Sequence, residues 1–376
     1  MIYLDNSATT QPKEEVFQSF EQVSKKLYAN PASIHQFGIQ ADRLLQSARK
    51  QIASLVEAEE SSVLFTSGGT EANNLALFGV ARVRQEKGRH IITTAVEHDS
   101  VRLAAQQLER EGFEVDYLSV DERGLISLDE LKQLLRPTTT LVSIMHVNNE
   151  MGAIQPVEEA SRIIKKYSDA WFHVDAVQSY GKIPVTFKGN HVDFYTVSGH
   201  KIHGLKGTGA LLMRRFYPLQ PLVYGGGQEF GYRSGTVAVN NAASLAKAMR
   251  LVKEIDRSAT YESWKERIHR FAEQYDNMYV VSTEKGAPHI VTLAFEGVRG
   301  EVVVNHLQRD HIYVSTSSAC SSKKQATSHV IEALDIPAPF KEGVIRISFG
   351  LNNESSDIDA LLESLKQFQQ ILNRGK

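Results

Sequence analysis

Short apolar runs alternate along the chain with longer stretches whose apolar residues recur every three or four positions. SSVLFTS, HIITTAV, TLVSIMHV, WFHVDAV, VDFYTVS and GALLMRR read as strands. Between them, EANNLALFGVARVRQ and SVRLAAQQLERE carry helical spacing. Ser127, followed by Glu130, has the form of a capping box opening the helix LDELKQLLR. Strands alternating with helices predict an α/β architecture with a mainly parallel sheet. The texture changes near residue 256. ATYESWKERIHRFAEQY reads as a charged helix, followed by the shorter strands HIVTLAFEGV, IYVSTS and VIRISFG and a last helix, SDIDALLESLKQFQQIL. This predicts a second, smaller α+β unit. With no internal repeat and no low-complexity linker, the two units are expected to pack closely.

Composition narrows this picture only a little. The chain's 376 residues allow roughly two or three domains. A hydrophobic share of 42%, a charged share of 23% and a net charge of −2 are ordinary for a globular protein. They give no electrostatic reason to expect nucleic acid or a membrane surface as partner. MIYLDNSATT has neither the basic start nor the apolar run of a signal peptide, and no stretch reaches the roughly 20 apolar residues of a membrane span. The single cysteine, Cys320, excludes an intramolecular disulfide and a multi-cysteine zinc site, so a reduced, cytoplasmic setting is expected.

Candidate chemistry gathers at strand ends. TSGGTEANN (66–74) joins a strand to a helix through Gly68 and Gly69, where free N–H groups attract an anion and Thr70 adds a hydroxyl. A tight turn would also need those glycines. In SGHKIHGLKGTG (198–209), Ser198, His200 and Lys201 stand just past a strand end, where α/β sheets place ligands. Gly199 to Lys206 nearly matches a P-loop, but Leu205 occupies the lysine position, which rejects it. His200 and His203 lack a third ligand nearby, so no metal is expected. Asp175 ends the apolar strand in HVDAVQS. There it needs a cation or hydrogen-bond donor, which a protonated pyridine nitrogen or a helix cap would supply. His98 in EHDSV and Asn149 in VNNEMG each follow a strand. RSGT offers Thr236, and IRISFG offers Arg346, whose place in a strand suggests a bidentate grip on a carboxylate. Taken singly, each has a plain structural reading. Together they are what pyridoxal phosphate requires: a Schiff-base lysine, an acid for the pyridinium and a phosphate cradle.

Cys320 lies in TSSACSSKKQ (316–325), a polar stretch with no apolar pattern to bury it. Lys323 and Lys324 favour its thiolate and would attract acidic partners. A free cysteine is otherwise most often a small buried hydrophobe.

Several motifs stand in one order: YLDNSATT, NPASIHQFG, TSGGTEANN, EHDSV, HVNNEMG, HVDAVQS, SGHKIHGLKG, GGGQEFGYRSGT, SSAC and IRISFG. Over nearly its whole length the chain thereby resembles the cysteine desulfurases of the class V aminotransferase group, in the aspartate aminotransferase-like pyridoxal-phosphate fold type I. The resemblance implies a large α/β domain over 13–255 with a mainly parallel seven-stranded sheet. It implies a small α+β domain from 1–12 and 256–376 that carries the Cys320 segment. It makes Lys201 the Schiff-base lysine, Asp175 the partner of the pyridine nitrogen and Gln178 that of the ring hydroxyl. His98 would stack on the ring. Gly69, Thr70, Ser198 and His200 would hold the phosphate, joined by Thr236 from the partner subunit of a homodimer. Asn149 would lie beside cofactor and substrate, Arg346 would bind the carboxylate of cysteine, and Cys320 would be the nucleophile.

The implied activity converts L-cysteine to L-alanine with a persulfide on Cys320. That sulfur passes to a protein acceptor, either a tRNA-thiolating sulfurtransferase or a scaffold for iron–sulfur or cofactor assembly. Two departures bear on the acceptor. SSKKQATSHV follows where related chains with a long loop have small residues, and the chain stops at Lys376 without the longer tail some relatives use to dock an iron–sulfur scaffold. These leave room for a dedicated acceptor. Competing readings are a selenocysteine lyase, another class V aminotransferase, and a cofactor-free scaffold on an old enzyme fold. The last is disfavoured by Lys201, Asp175, Cys320 and Arg346 being present together.

Overall fold

The structure, a computed structural model, describes residues 1–316 and 328–374. Its strands are β1 (Ile2–Tyr3), β2 (Val63–Thr66), β3 (His90–Thr94), β4 (Glu114–Leu118), β5 (Thr139–Met145), β6 (Trp171–Asp175), β7 (Phe194–Ser198), β8 (Gly209–Met213), β9 (Met278–Val280), β10 (Ile290–Phe295), β11 (Ile312–Tyr313), β12 (Ser315–Thr316) and β13 (Val344–Ser348). Seven of them form one sheet in the order β2-β8-β7-β6-β5-β3-β4. Only β8 in it runs antiparallel to its neighbours. The expected mainly parallel seven-stranded sheet is therefore present.

The near-continuous apolar runs of β3, β5 and β7 reflect burial on both faces. Successive residues enter opposite cores, as a pleated strand requires. Ile91, Leu141 and Leu211 pack under the helices Gly69–Val83 and Asp99–Arg110. Ile92, Val142 and Leu212 pack under Gln36–Leu55, Val157–Tyr167 and Val239–Lys253. The expected helices form at Gly69–Val83, Asp99–Arg110, Leu128–Leu134, Ser258–Ala272 and Ser355–Arg374.

The fold adds elements beyond the sequence reading: edge strand β4 and the helices Glu14–Lys26, Gln36–Leu55 and Val239–Lys253. The segment IYVSTS divides into β11 and β12, which join different sheets. The capping box is half formed. Ser127 Oγ accepts from the Glu130 N–H at 3.2 Å, but the Glu130 carboxylate accepts from Ser119 N and Oγ instead.

A four-stranded antiparallel sheet, β12-β13-β10-β9, builds the second core around Trp264, Ile268, Leu293, Phe295, Ile345 and Leu361. Leu4 belongs to this same core. The chain then leaves along Asp5, which bridges to Ser348, and reaches Thr10, whose N–H donates to the His200 carbonyl at 2.8 Å. Residues 5–10 thus run from the small sheet to the carboxyl end of β7.

Candidate active site

The turns that follow β2, β3, β5, β6 and β7 open on one edge of the large sheet. After β2, Gly68 takes φ +156° and the helix Gly69–Val83 begins at once. Glycine is required here by close approach. A Cβ on Gly69 would stand 2.9 Å from Val177 Cγ2, and one on Gly209 would stand 2.6 Å from Gly68 Cα. Thr70 is exposed in the first helical turn. After β7, Ser198 leads into a short turn, Gly199–Lys201. Ser198 Oγ is buried and has no hydrogen-bond partner among the described residues. His200 Nδ1 lies 3.2 Å from Thr9 Oγ1, and burial, then Lys201, push its pKa down to about 4.

Lys201 Nζ donates to the carbonyls of Ser7 (2.5 Å) and Ala8 (2.8 Å). Its own carbonyl accepts from Lys182 Nζ at 3.1 Å. Burial and the adjacent Lys201 push Lys182 down to about 7. Asp175, at the end of β6, accepts from the Val177 N–H at 2.9 Å and from Asn73 Nδ2 at 2.7 Å. Gln178 Nε2 donates to the Ser7 carbonyl at 2.9 Å, while its Oε1 is buried without a partner among the described residues. His98 caps the helix Asp99–Arg110, its Nδ1 accepting from the Ser100 N–H at 3.1 Å. Burial lowers its pKa, with Asp175 opposing.

Arg346, in the middle of β13, does not present an empty fork. Its Nη2 donates to Asp5 Oδ1 at 2.8 Å and its Nη1 to the Asn149 carbonyl at 2.9 Å; Nε is buried and finds no partner among the described residues. Asn149 therefore reaches this arginine through its backbone. Thr236 lines a cavity of about 180 Å³ together with Thr66, Ser67 and Arg233. Cys320, Lys323 and Lys324 lie outside the described residues. The residues on either side of that segment are anchored. Ser315 pairs with Arg346 in the small sheet, Ser328 Oγ donates to Glu150 at 2.9 Å, and the His329 ring meets the Glu97 carbonyl.

Several residues escaped the sequence reading. Asp5, Ser7 and Ala8 touch the arginine and the lysine; Asn73 and Ser100 support Asp175 and His98. Glu97 is fully buried, accepts from Met145 N and Thr94 Oγ1, and is pushed up to about 8 by that burial. YLDNSATT and TSGGTEANN were visible as motifs, but nothing in them marks which members make these contacts. A cavity of about 970 Å³, lined by Lys182, Lys265 and Glu262, contains none of the predicted site residues and is set apart from this chemistry. Among the described residues no group of three or more His, Cys, Asp or Glu could hold a metal ion.

The donor set fits pyridoxal phosphate. Two buried oxygens at the site, Gln178 Oε1 and Ser198 Oγ, lack partners among the described residues, and a glycine-lined cradle at a helix start stands ready for an anion. A lysine, a carboxylate and a histidine beyond the carboxyl edge of a mostly parallel sheet define a class: an α/β enzyme working through pyridoxal phosphate. The chain belongs to the aminotransferase class-V family, whose profile matches residues 2–361. It is 39% identical over 372 residues to a protein of Dictyoglomus turgidum described as "Cysteine desulfurase IscS", covering 97% of this chain and 94% of that one. A solved "NIFS-LIKE PROTEIN" superposes with a TM-score of 0.92 at 34% identity, covering 98% and 99% of the two chains. A second solved structure, "SspA in complex with cysteine", has a TM-score of 0.83 at 32% identity, covering 93% and 99%. No described helix is long and apolar enough to cross a membrane.

Proposed function

We propose that this chain is a pyridoxal-phosphate-dependent cysteine desulfurase, converting L-cysteine to L-alanine and leaving the sulfur as a persulfide on Cys320. The observation that carries the reading is the stretch Asp5–Ala8. Asp5 is bonded to Arg346, while the carbonyls of Ser7 and Ala8 are bonded to Lys201. The amine-reactive and carboxylate-binding groups are thereby held by one four-residue stretch, which the Ala8 N–H to Asp5 carbonyl bond of 3.0 Å closes into a turn.

Pyridoxal phosphate, when bound, supplies the electron sink that makes the bonds around the substrate's α-carbon labile. Gly69, Thr70, Ser198 and His200 would hold its phosphate, Asp175 and Gln178 its ring atoms, and His98 would lie beside it. Arg346 takes the substrate carboxylate and Asn149 lines the same place. Lys201 Nζ moves the α-proton, for which the Ser7 and Ala8 carbonyls set its resting position. Cys320 Sγ, as thiolate, attacks the substrate sulfur. The substrate's Cβ–S bond breaks, an S–S bond forms, and the carbon skeleton leaves as alanine. Thiol and cysteine become persulfide and alanine, so atoms and electrons balance without another oxidant.

The same reading divides the chain into a large unit over 13–255 and a small one from 1–12 and 256–376. It makes the working form a cytoplasmic homodimer in which Thr236 serves the partner subunit's phosphate site. The sulfur goes on to an acceptor protein of tRNA thiolation or of iron–sulfur or cofactor assembly. The test is to incubate the holoenzyme with L-cysteine, quantify alanine, and map the peptides by mass. A one-sulfur mass increase on the Cys320 peptide, alongside alanine, supports the reading. Alanine formation that requires an added keto acid, with no modified peptide, rejects it in favour of an aminotransferase.

A further inference from the structure

Asn73 sits in the first turns of the helix Gly69–Val83, 1% exposed. Its Nδ2 makes two bonds, one of 2.7 Å to Asp175 Oδ2 and one of 2.8 Å to Ser100 Oγ. Ser100 Oγ is in turn 2.8 Å from His98 Nδ1. Chemistry fixes the direction of each bond. An amide NH₂ only donates, so Asp175 Oδ2 and Ser100 Oγ accept. The Ser100 hydroxyl hydrogen is then left for His98 Nδ1, which already accepts from the Ser100 N–H. An Nδ1 that accepts twice carries no proton, so the neutral ring holds its hydrogen on Nε2. Turning the amide over would set Asn73 Oδ1 against Asp175 Oδ2 and demand a proton between them.

The price of this arrangement is visible: Asn73 Oδ1 is buried without a partner among the described residues. An apolar side chain of similar size would remove that orphan, so packing alone does not explain an asparagine here.

We propose that Asn73 is a positioning residue whose single amide holds Asp175 Oδ2 as an acceptor and, through Ser100, holds the His98 ring in its Nε2–H form. The acid and the histidine that bracket the cofactor ring then act as one hydrogen-bonded unit. This rests on the proposed placement of Asp175 and His98 against that ring. Burial, which lowers the pKa of His98, works in the same direction.

The test compares the wild-type holoenzyme with Asn73→Leu, Ser100→Ala, the double variant and Asp175→Asn. Three readouts are needed: the thermal midpoint, the rate of cofactor release after dilution, and the pH midpoint of the holoenzyme's visible absorption. Asn73→Leu should release cofactor at least about tenfold faster, from loss of a charge-assisted hydrogen bond. It should also displace the pH midpoint while keeping the thermal midpoint of the apoprotein. Ser100→Ala should displace the pH midpoint less, because the Ser100 N–H still holds Nδ1, and the double variant should go no further than Asn73→Leu alone. Should Asn73→Leu not fold, Asn73→Ser, too short to reach Asp175, carries the same expectation. Wild-type release and pH midpoint in either Asn73 variant, or a lowered thermal midpoint alone, would overturn the proposal. Asp175→Asn separates the two levels. Fast release there with wild-type behaviour in Asn73→Leu sinks only the role of Asn73, whereas wild-type release in Asp175→Asn sinks the placement of Asp175 itself.

Discussion

Replacing Arg346 by lysine separates substrate binding from everything else the site does. The guanidinium already serves Asp5 and the Asn149 carbonyl, with side-chain exposures of 7% for Arg346 and 18% for Asp5. Lysine keeps the positive charge but offers one nitrogen in place of a planar fork. It can stay paired with Asp5, and in doing so it gives up the substrate carboxylate. A hydrogen bond to a charged group is worth about 1.5–3 kcal/mol. At about 1.4 kcal/mol per decade, the apparent KM for L-cysteine should rise roughly 10- to 150-fold. The Arg346 side chain bonds to Asp5 and to the Asn149 carbonyl, away from Asp175 and Gln178, so cofactor content and visible spectrum should stay at the wild-type level. Alanine is the better replacement to avoid here. Arg346→Ala would leave the part-buried Asp5 carboxylate without its cation, and the resulting loss of stability would confound the substrate effect. The assay is the initial rate of alanine formation against L-cysteine concentration, read beside the absorption spectrum. An unchanged KM in Arg346→Lys would refute the assignment of Arg346 as the carboxylate anchor.

Lys201→Ala should abolish turnover and covalent cofactor retention after hydride reduction, with peptide mapping as the check; a label on Lys206 in the wild type would show that the lysine was misassigned. Thr236→Ala and Lys201→Ala, each weak or inactive, should regain activity when mixed and allowed to exchange subunits, because one site of a mixed dimer carries neither change. No recovery after demonstrated exchange would place Thr236 in its own subunit's site. Glu97 is raised by burial from its ordinary 4.5 to about 8, so between those values the folded state holds a proton that the unfolded state has lost. That makes stability fall as pH rises through this window. Glu97→Gln keeps an oxygen to accept from Met145 N and Thr94 Oγ1, and it should flatten the thermal midpoint against pH between about 5 and 8; an unaltered slope would show that Glu97 is not the titrating group.

What could be read from the chain, and what could not, follows from separation along it. Lys201, Asp175 and His98 each follow a continuous apolar run, and a run that ends in polar residues locates a strand end without tertiary knowledge. Edge strand β4, EVDYL, has a mostly part-exposed pattern, and its alternation is too faint to stand out. The contacts of Asp5 with Arg346 and of Ser7 with Lys201 join residues 341 and 194 positions apart, which no local pattern encodes. Asn73 reads as one more polar residue in a helix start until Asp175, 102 residues on, is set beside it. Glu130 shows the same limit on a smaller scale. Its spacing from Ser127 fits a capping box, but the Ser119 hydroxyl and N–H, brought close by the fold, compete for its carboxylate and win.

The most direct test of the central claim is a single turnover of Cys320→Ser with L-cysteine, followed by visible absorption and by alanine. Lys201, Asp175 and the phosphate cradle are untouched by this change, so the absorption should still respond to added cysteine. A serine hydroxyl is a far poorer acceptor for sulfur than a thiolate, so alanine should stay at background and no persulfide should form. Alanine released from cysteine at the wild-type rate would contradict the account, and would make Cys320 a bystander to the sulfur it is held to receive.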